Sequence, residues 1–230
     1  MKLVIITTET FFEGEAGAVN LLFENGLETL HLRKPAASPQ ETAVFIKQIG
    51  MDYHTRIVLH DHYDLTMMFD LKGIHLNRRN QAEMDKYCVR SRLSVSRSCH
   101  SLEEVQESQF YDYVFLSPVF DSISKVGYKR GFTVHQLIEA RKRMIINDKV
   151  IALGGITTEN IPIARRCGFG GVAVLGTLWG RSAGCGDGIN ARITNPHEQK
   201  LMERFNELKV KVTDNLVRTS KIHKTKNGST

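Results

Sequence analysis

Eight short runs rich in β-branched and aromatic residues recur along the chain, each separated from the next by a stretch that reads as helix. They are LVIIT from Leu3, LETLHLR from Leu27, RIVLH from Arg56, GIHL from Gly73, LSVS from Leu93, DYVFLS from Asp112, KVIAL from Lys149 and GVAVL from Gly171. Runs such as VIAL and VAVL are apolar without alternation, the pattern of parallel strands covered by helices outside and packed inside. Eight strand–helix units predict a single α/β domain closed into a (β/α)8 barrel over residues 1–216. An open doubly wound sheet would carry a glycine-rich dinucleotide loop after its first strand, and Thr7, Thr8 and Glu9 stand there instead. The length of 230 residues, 41% of them hydrophobic, suits one such barrel with its own core.

The stretches between the runs carry helix punctuation. Ser38, Pro39 and Glu41 place a cap, a first-turn proline and a reciprocal carboxylate ahead of the apolar face of Phe45, Ile46 and Ile49. Ser101 with Glu104 repeats the capping box, and Gly26 after LLFEN reads as a helix stop. Residues 180–195 read as a loop rich in glycine and polar side chains. A last helix from Pro196 to about Asn215 follows, with Leu201, Phe205, Leu208 and Val212 at helical spacing.

Net charge excludes more than it suggests. Of the formal +6, four charges are Arg218, Lys221, Lys224 and Lys226, in a tail over residues 217–230 that has no acidic residue. That tail reads as a solvated terminus. Without a basic stripe and interleaved aromatics, no nucleic-acid partner is expected. Cys88, Cys99, Cys167 and Cys185 have neither zinc-site nor dithiol spacing and are expected as reduced thiols. The apolar start is too short for a signal peptide and no segment reaches a membrane span, so a cytoplasmic protein without a membrane partner is expected. A homo-oligomer is compatible with the sequence.

In a barrel of this kind chemistry gathers where strands end. The ends here are polar: His31 and Arg33 on the second run, His60, Asp61 and His62 on the third, His75 and Asn77 on the fourth, Ser96, Ser98 and His100 on the fifth, Ser117 on the sixth. Alternation sends His31 and Arg33 to the interior and Leu30 and Leu32 to the helix layer. Five of the nine histidines fall at these ends, where imidazole can move protons near neutral pH. Two or three of the five are expected to be structural, hydrogen-bonded to backbone or neighbours.

Gly154, Gly155, Gly176 and Thr177 end the seventh and eighth runs, where backbone N–H groups can cradle a phosphate and a following helix adds its dipole. Tight turns alone would also ask for those glycines. Ser122, Ser124 and Lys125 in the loop PVFDSISK can donate to a phosphate or pyrophosphate, and a solvated polar loop accounts for them too. A metal hydrolase built on His60, His62 and His75 fits the side chains without a recognised ligand spacing.

The successive motifs HLRKP, LHDHYDL, GIHLN, SRSCHSLEE, DYVFLSPVF, ALGGITTEN and GFGGVAVLG resemble, in order and over Met1 to about Trp179, the strand ends of the thiamine phosphate synthase and TenI superfamily. The resemblance implies a barrel that binds a small-molecule thiazole phosphate. Its synthase members join that phosphate to a pyrimidine pyrophosphate with Mg2+.

The synthase pattern is incomplete in this sequence. Its glutamine-x-arginine-x-lysine end reads His31, Arg33, Pro35, and its asparagine–aspartate pair reads His60, Asp61. The second acidic residue expected after GIHL falls among Arg78, Arg79 and Asn80, which leaves Asp61 as the one presumed magnesium ligand. Ser122, Ser124 and Lys125 keep the chemistry of the family's threonine-x-threonine-lysine loop.

The histidine matching His100 is implicated, in TenI proteins of the tautomerase kind, in aromatising a thiazole carboxylate phosphate without metal or other cofactor. The resemblance therefore implies a TenI-like thiazole tautomerase. Its catalytic groups are His100 as proton shuttle and Arg33 as carboxylate partner, with His31 beside them. The substrate is held at Gly154, Gly155, Gly176, Thr177, Ser122, Ser124, Lys125, His60 and Ser98. Two alternatives stand beside it: the Mg2+-dependent synthase with Asp61 as ligand, and a non-catalytic phosphate-binding regulator.

Overall fold

A computed structural model of the chain describes residues 1–77, 92–121, 131–180 and 195–214, with residues 195 and 196 described by backbone only. All eight expected strands are present: β1 (Lys2–Ile6), β2 (Leu30–Leu32), β3 (Ile57–Leu59), β4 (Gly73–Leu76), β5 (Ser94–Cys99), β6 (Tyr113–Leu116), β7 (Val150–Leu153) and β8 (Gly171–Val174). They pair in parallel in sequence order, and β8 returns to β1 through Lys2–Gly171 to Ile5–Val174, so the sheet has no edge. Because every strand runs the same way, all eight carboxyl ends open on one face of the barrel.

The described helices are α1 (Glu15–Glu24), α2 (Pro39–Lys47), α3 (Leu65–Met68), α4 (Leu102–Glu107), α5 (Val134–Lys142), α6 (Ile161–Arg166), α7 (Gly176–Trp179) and α8 (Asn195–Thr213), with a 3₁₀ turn at Met51–Arg56. Their punctuation follows the sequence with one correction. At α2 the full capping box forms, Ser38 accepting from the Glu41 amide while Glu41 accepts from the Ser38 amide. After α1, Gly26 takes φ +90°, and the amides of Gly26 and Leu27 close onto the carbonyls of Phe23 and Leu22. At α4 only half of the expected box exists: Ser101 accepts from the Glu104 amide, but the Glu104 carboxylate instead accepts from the amide of His100, at 2.6 Å. That exchange fixes the backbone of His100 at the mouth.

Two layers of apolar packing hold the barrel. The outer one lies between strands and helices and includes Leu22, Leu30, Leu32, Phe45, Ile46, Leu59 and Ile74. Leu201, Phe205, Leu208 and Val212 of α8 are buried in the same layer, so the last helix closes the ring as its spacing predicts. Burying such side chains contributes about 1.5–3 kcal/mol each. The inner layer fills the barrel itself with Val4, Ile6, Tyr113, Phe115, Ile151 and Ala173. Three strands send imidazoles into that interior instead of aliphatic groups. Among the described residues no helix is long and apolar enough to cross a membrane. Residues 181–194, expected as a loop, and the basic residues 217–230 lie outside the described residues, as do Cys88 and Cys185; Cys99 and Cys167 are buried free thiols.

Candidate active site

The strand pleat explains where the polar ends go. Ile57 and Leu59 pack outward, so His60, one step past β3, turns inward; His31 of β2 and His75 of β4 do the same. The three rings meet, with centroids 5.1 Å apart for His31–His60, 5.1 Å for His31–His75 and 4.3 Å for the stacked pair His60–His75. His31 Nδ1 lies 2.9 Å from His60 Nε2, and His31 Nε2 lies 2.7 Å from the Tyr113 hydroxyl. His75 reaches Ser96 Oγ at 2.9 Å through Nδ1 and Ser98 Oγ at 2.8 Å through Nε2. Phe115 floors the cluster, its ring 4.7 Å from His31 and 4.6 Å from His75.

Burial keeps His31 and His75 uncharged. It pushes the His31 pKa well below the ordinary value, and His75 falls to about 3, burial being the main cause and the nearby Arg33 charge adding to it. Burial also raises the Tyr113 phenol, so the hydroxyl keeps its proton.

His62 and Asp61 take a different course. His62 has φ 56° and donates from Nε2 to the Ala37 carbonyl at 2.7 Å. The metal trio suggested by His60, His62 and His75 is therefore corrected: His62 is tied to backbone, and His31 occupies the third place. Asp61 lines a crevice with Leu32, Lys34, Thr42 and His62, on the side of β2 and β3 that faces α2. Leu32 belongs to the outer layer, so this carboxylate sits beneath the helix and apart from the inward imidazoles. A hard cation such as magnesium needs several oxygen ligands in octahedral array. Among the described residues, three imidazoles inside the barrel and the Asp61 carboxylate on the α2 side do not make such an array for a resident magnesium ion.

Around the rim the remaining residues spread over several strand ends. Arg33 falls one residue past β2 and stands at the rim, partly exposed, where sequence alternation alone placed it in the interior. Its backbone is clamped by Thr7, whose hydroxyl accepts from the Arg33 amide at 2.9 Å, and its guanidinium pairs with Glu9 at 2.7 Å. His100 is exposed at the end of β5 and its Nδ1 lies 3.0 Å from the Ser117 carbonyl. A carbonyl only accepts, so Nδ1 carries a proton, and the neutral form of the ring has its lone pair on Nε2. The Ser98 hydroxyl is engaged by His75.

At the end of β7 the glycines have two reasons to be glycine. Gly154 and Gly155 take φ +95° and +62°, and a Cβ on Gly155 would stand 2.2 Å from the Asp121 carbonyl oxygen. The Gly155 carbonyl accepts from Asn160 Nδ2 at 2.6 Å, which fixes the orientation of that peptide. Thr177 spends its hydroxyl on the Ile156 carbonyl, joining the two turns, so its amide alone is left to face a ligand. Among the described residues the amides of Gly155, Gly176 and Thr177 have no protein acceptor. The helix that follows β8 is a single turn, so the large dipole expected there is absent. Ser122, Ser124 and Lys125 lie outside the described residues.

Sequence reading missed two groups. Tyr113, inside the barrel, was legible from the inward alternation Tyr113–Phe115, but only the fold places its hydroxyl on His31. Lys34 gave no signal, yet it forms a buried ion pair with Glu15.

A barrel with this polar mouth matches known proteins over most of its length. A family model described as thiamine monophosphate synthase, TMP-TENI, matches residues 3–178. The thiamine-phosphate synthase of Limosilactobacillus reuteri is 25% identical over 171 residues, 70% of this chain and 79% of that protein. The crystal structure of a thiamine phosphate pyrophosphorylase from Bacteroides thetaiotaomicron is 40% identical with a TM-score of 0.79, covering 94% of this chain and 99% of that one. A thiamine phosphate pyrophosphorylase from Pyrococcus furiosus, 21% identical with a TM-score of 0.65 over 90% of this chain and 96% of its own, shares the fold. The chain belongs to the thiamine phosphate synthase and TenI family, as its strand-end motifs imply.

Proposed function

We propose that the chain is a thiamine phosphate synthase, joining a pyrimidine pyrophosphate to a thiazole phosphate. In that reaction the thiazole nitrogen bonds to the pyrimidine methylene carbon while the carbon–oxygen bond to pyrophosphate breaks, and pyrophosphate leaves. The observation that carries the reading is the common rim: the amides of Gly155, Gly176 and Thr177 stand on the same barrel face as the Arg33 guanidinium. Backbone amides and a planar cation together suit the two anions that the reaction brings side by side, a phosphate and a pyrophosphate. The identity to a pyrophosphorylase over nearly the whole of both chains supports the synthase over its relatives. The test is product formation from the two substrates, measured with Mg2+, with Zn2+ and with neither. Coupled product in any arm upholds the synthase; none in all three overturns it.

One observation favours a second reading, a TenI-like thiazole tautomerase. With its proton on Nδ1, His100 presents an Nε2 lone pair at the mouth, the form a proton shuttle requires. Isomerisation of the thiazole carboxylate phosphate, lost about 10²–10⁴-fold in His100→Ala, would establish it. Equal rates in both proteins would remove His100 from the chemistry, and no isomerisation together with no coupled product would leave a phosphate-ligand binder that turns nothing over.

A further inference from the structure

We propose that His31, His60 and His75 form a binding site for a borderline first-row transition metal, of the Zn2+ or Co2+ class, inside the barrel. Neither the family reading nor the choice between synthase and tautomerase bears on it, since it rests on three side chains and their neighbours.

The placement follows from the sheet. β2, β3 and β4 are consecutive, and neighbouring strands lie about 4.8 Å apart, so the inward imidazoles of His31, of His60 just past β3, and of His75 come within reach of one another although His31 pairs in register with Val58. One ring nitrogen from each histidine lies within 4.8 Å of the others. A tetrahedral ion with metal–nitrogen bonds of about 2.0–2.1 Å holds its ligand atoms about 3.4 Å apart. That spacing lies between the 2.9 Å of His31 Nδ1 and His60 Nε2 and the outer limit of the trio.

The donor chemistry selects the metal. Three imidazoles without a carboxylate among them suit zinc, cobalt or copper and reject magnesium and calcium. Three protein ligands also leave one position of a tetrahedron for water or a substrate atom.

The surroundings are those that orient metal-bound histidines. A ligating imidazole fixes its ring by hydrogen-bonding through the nitrogen that does not bind the ion. His31 has the Tyr113 hydroxyl for that role; His75 carries a serine hydroxyl on each nitrogen, so on binding it keeps one of Ser96 and Ser98 and exchanges the other for the ion. All three rings are buried, His31 and His75 are held in the neutral form that has a lone pair, and Phe115 closes the inner side. His54 shows the contrast: its ring is spent on the carbonyls of Phe69, Ile46 and Ile49, away from the trio. A hydrogen-bonded trio without any ion is the competing account of the same contacts.

The experiment uses the untagged full chain, stripped with chelator and titrated with Co2+. Metal is counted by mass spectrometry and coordination is read from the visible spectrum. The expected result is one Co2+ per chain with the intense band of a four-coordinate site, displaced by Zn2+ and unmoved by a large excess of Mg2+. His60→Gln and His75→Asn should lose on the order of 100-fold or more in affinity, the upper end of what removing a supporting group costs, and His62→Gln should lose none. Tyr113→Phe removes a single hydroxyl from a supporting position and should weaken binding about 10–100-fold; it keeps the test decisive if a histidine variant fails to fold. No bound Co2+ in the wild type, a weak six-coordinate spectrum, or equal binding by wild type and the folded variants would each overturn the site.

Discussion

Lys34 and Glu15 form an ion pair sealed from solvent, the ammonium 2.7 Å from both carboxylate oxygens and the two side chains 2% and 1% exposed. It ties the end of β2 to the start of α1. The ammonium also donates to the Thr10 carbonyl at 2.9 Å and lies 4.6 Å from the Phe11 ring, so the pair organises the whole first loop beneath Arg33. Burial alone would raise the Glu15 pKa and lower that of Lys34, and their mutual attraction opposes both shifts. Lys34→Met should cost about 3–5 kcal/mol, because it leaves a carboxylate buried without its counter-ion. Lys34→Met with Glu15→Leu should recover most of the loss. Urea unfolding of the single and double variants is the check; a single variant within ~1 kcal/mol of wild type would refute the account.

The imidazole cluster makes a prediction about acid. In the unfolded chain His75 titrates near its ordinary 6.5, and in the folded barrel near 3. Between those values the unfolded chain binds a proton that the folded one refuses, so stability is complete above about pH 6.5 and falls as pH drops toward 3. His31 moves in the same direction. One such group gives a slope of about 1.4 kcal/mol per pH unit. Unfolding free energies at about pH 7, 6 and 5 should fall by one to two protons' worth of slope in the wild type and by one proton less in His75→Asn. An unchanged slope in that variant would show that the folded state accommodates a charged His75.

The barrel itself is legible because strand signals are local. Each apolar run such as VIAL carries its own β pattern, and eight of them with helix caps between leave few topologies. The inward turn of His31 and the capping of α2 by Ser38 and Glu41 depend on residues within four positions, and both stand in the fold as the sequence predicts. Pairing across the sheet does not show in this way. Nothing in the neighbourhood of Lys34 points to Glu15, nineteen positions earlier, and nothing near His60 says that His31 will be its partner and His62 will not. The choice between His60 and His62 is decided by the positive φ of His62, a property of the closed loop and not of the residue type.

The rim at Gly155 separates the demands of a turn from those of a ligand. An alanine that keeps the left-handed φ of Gly155 drives its Cβ into the Asp121 carbonyl, so Gly155→Ala should destabilise by on the order of 2 kcal/mol or more. It should also displace the amide that faces the mouth and weaken thiazole phosphate binding in calorimetry. Gly17 is the control. It sits on the exposed face of α1 with nothing within 4 Å of where a Cβ would stand, and Gly17→Ala should raise stability by about 0.5–1 kcal/mol through helix propensity with binding unchanged.

Arg33 and Glu9 supply the sharpest test of the rim, because the two substitutions should act in opposite directions. Their pair is partly exposed, so its loss should move stability by less than about 1 kcal/mol. Thr7 clamps the Arg33 backbone, and Glu9 pairs with one nitrogen of the guanidinium that an anionic substrate would take. Removing the cation in Arg33→Met should weaken thiazole phosphate binding about 10–100-fold, the range of a hydrogen bond to a charged group. Removing the competing carboxylate in Glu9→Gln should tighten it by a smaller factor, and raising the salt concentration should shrink both effects. Calorimetric titration of the two variants measures this directly. Equal affinities for wild type, Arg33→Met and Glu9→Gln would place the substrate's anionic groups elsewhere on the mouth and remove Arg33 from the binding site.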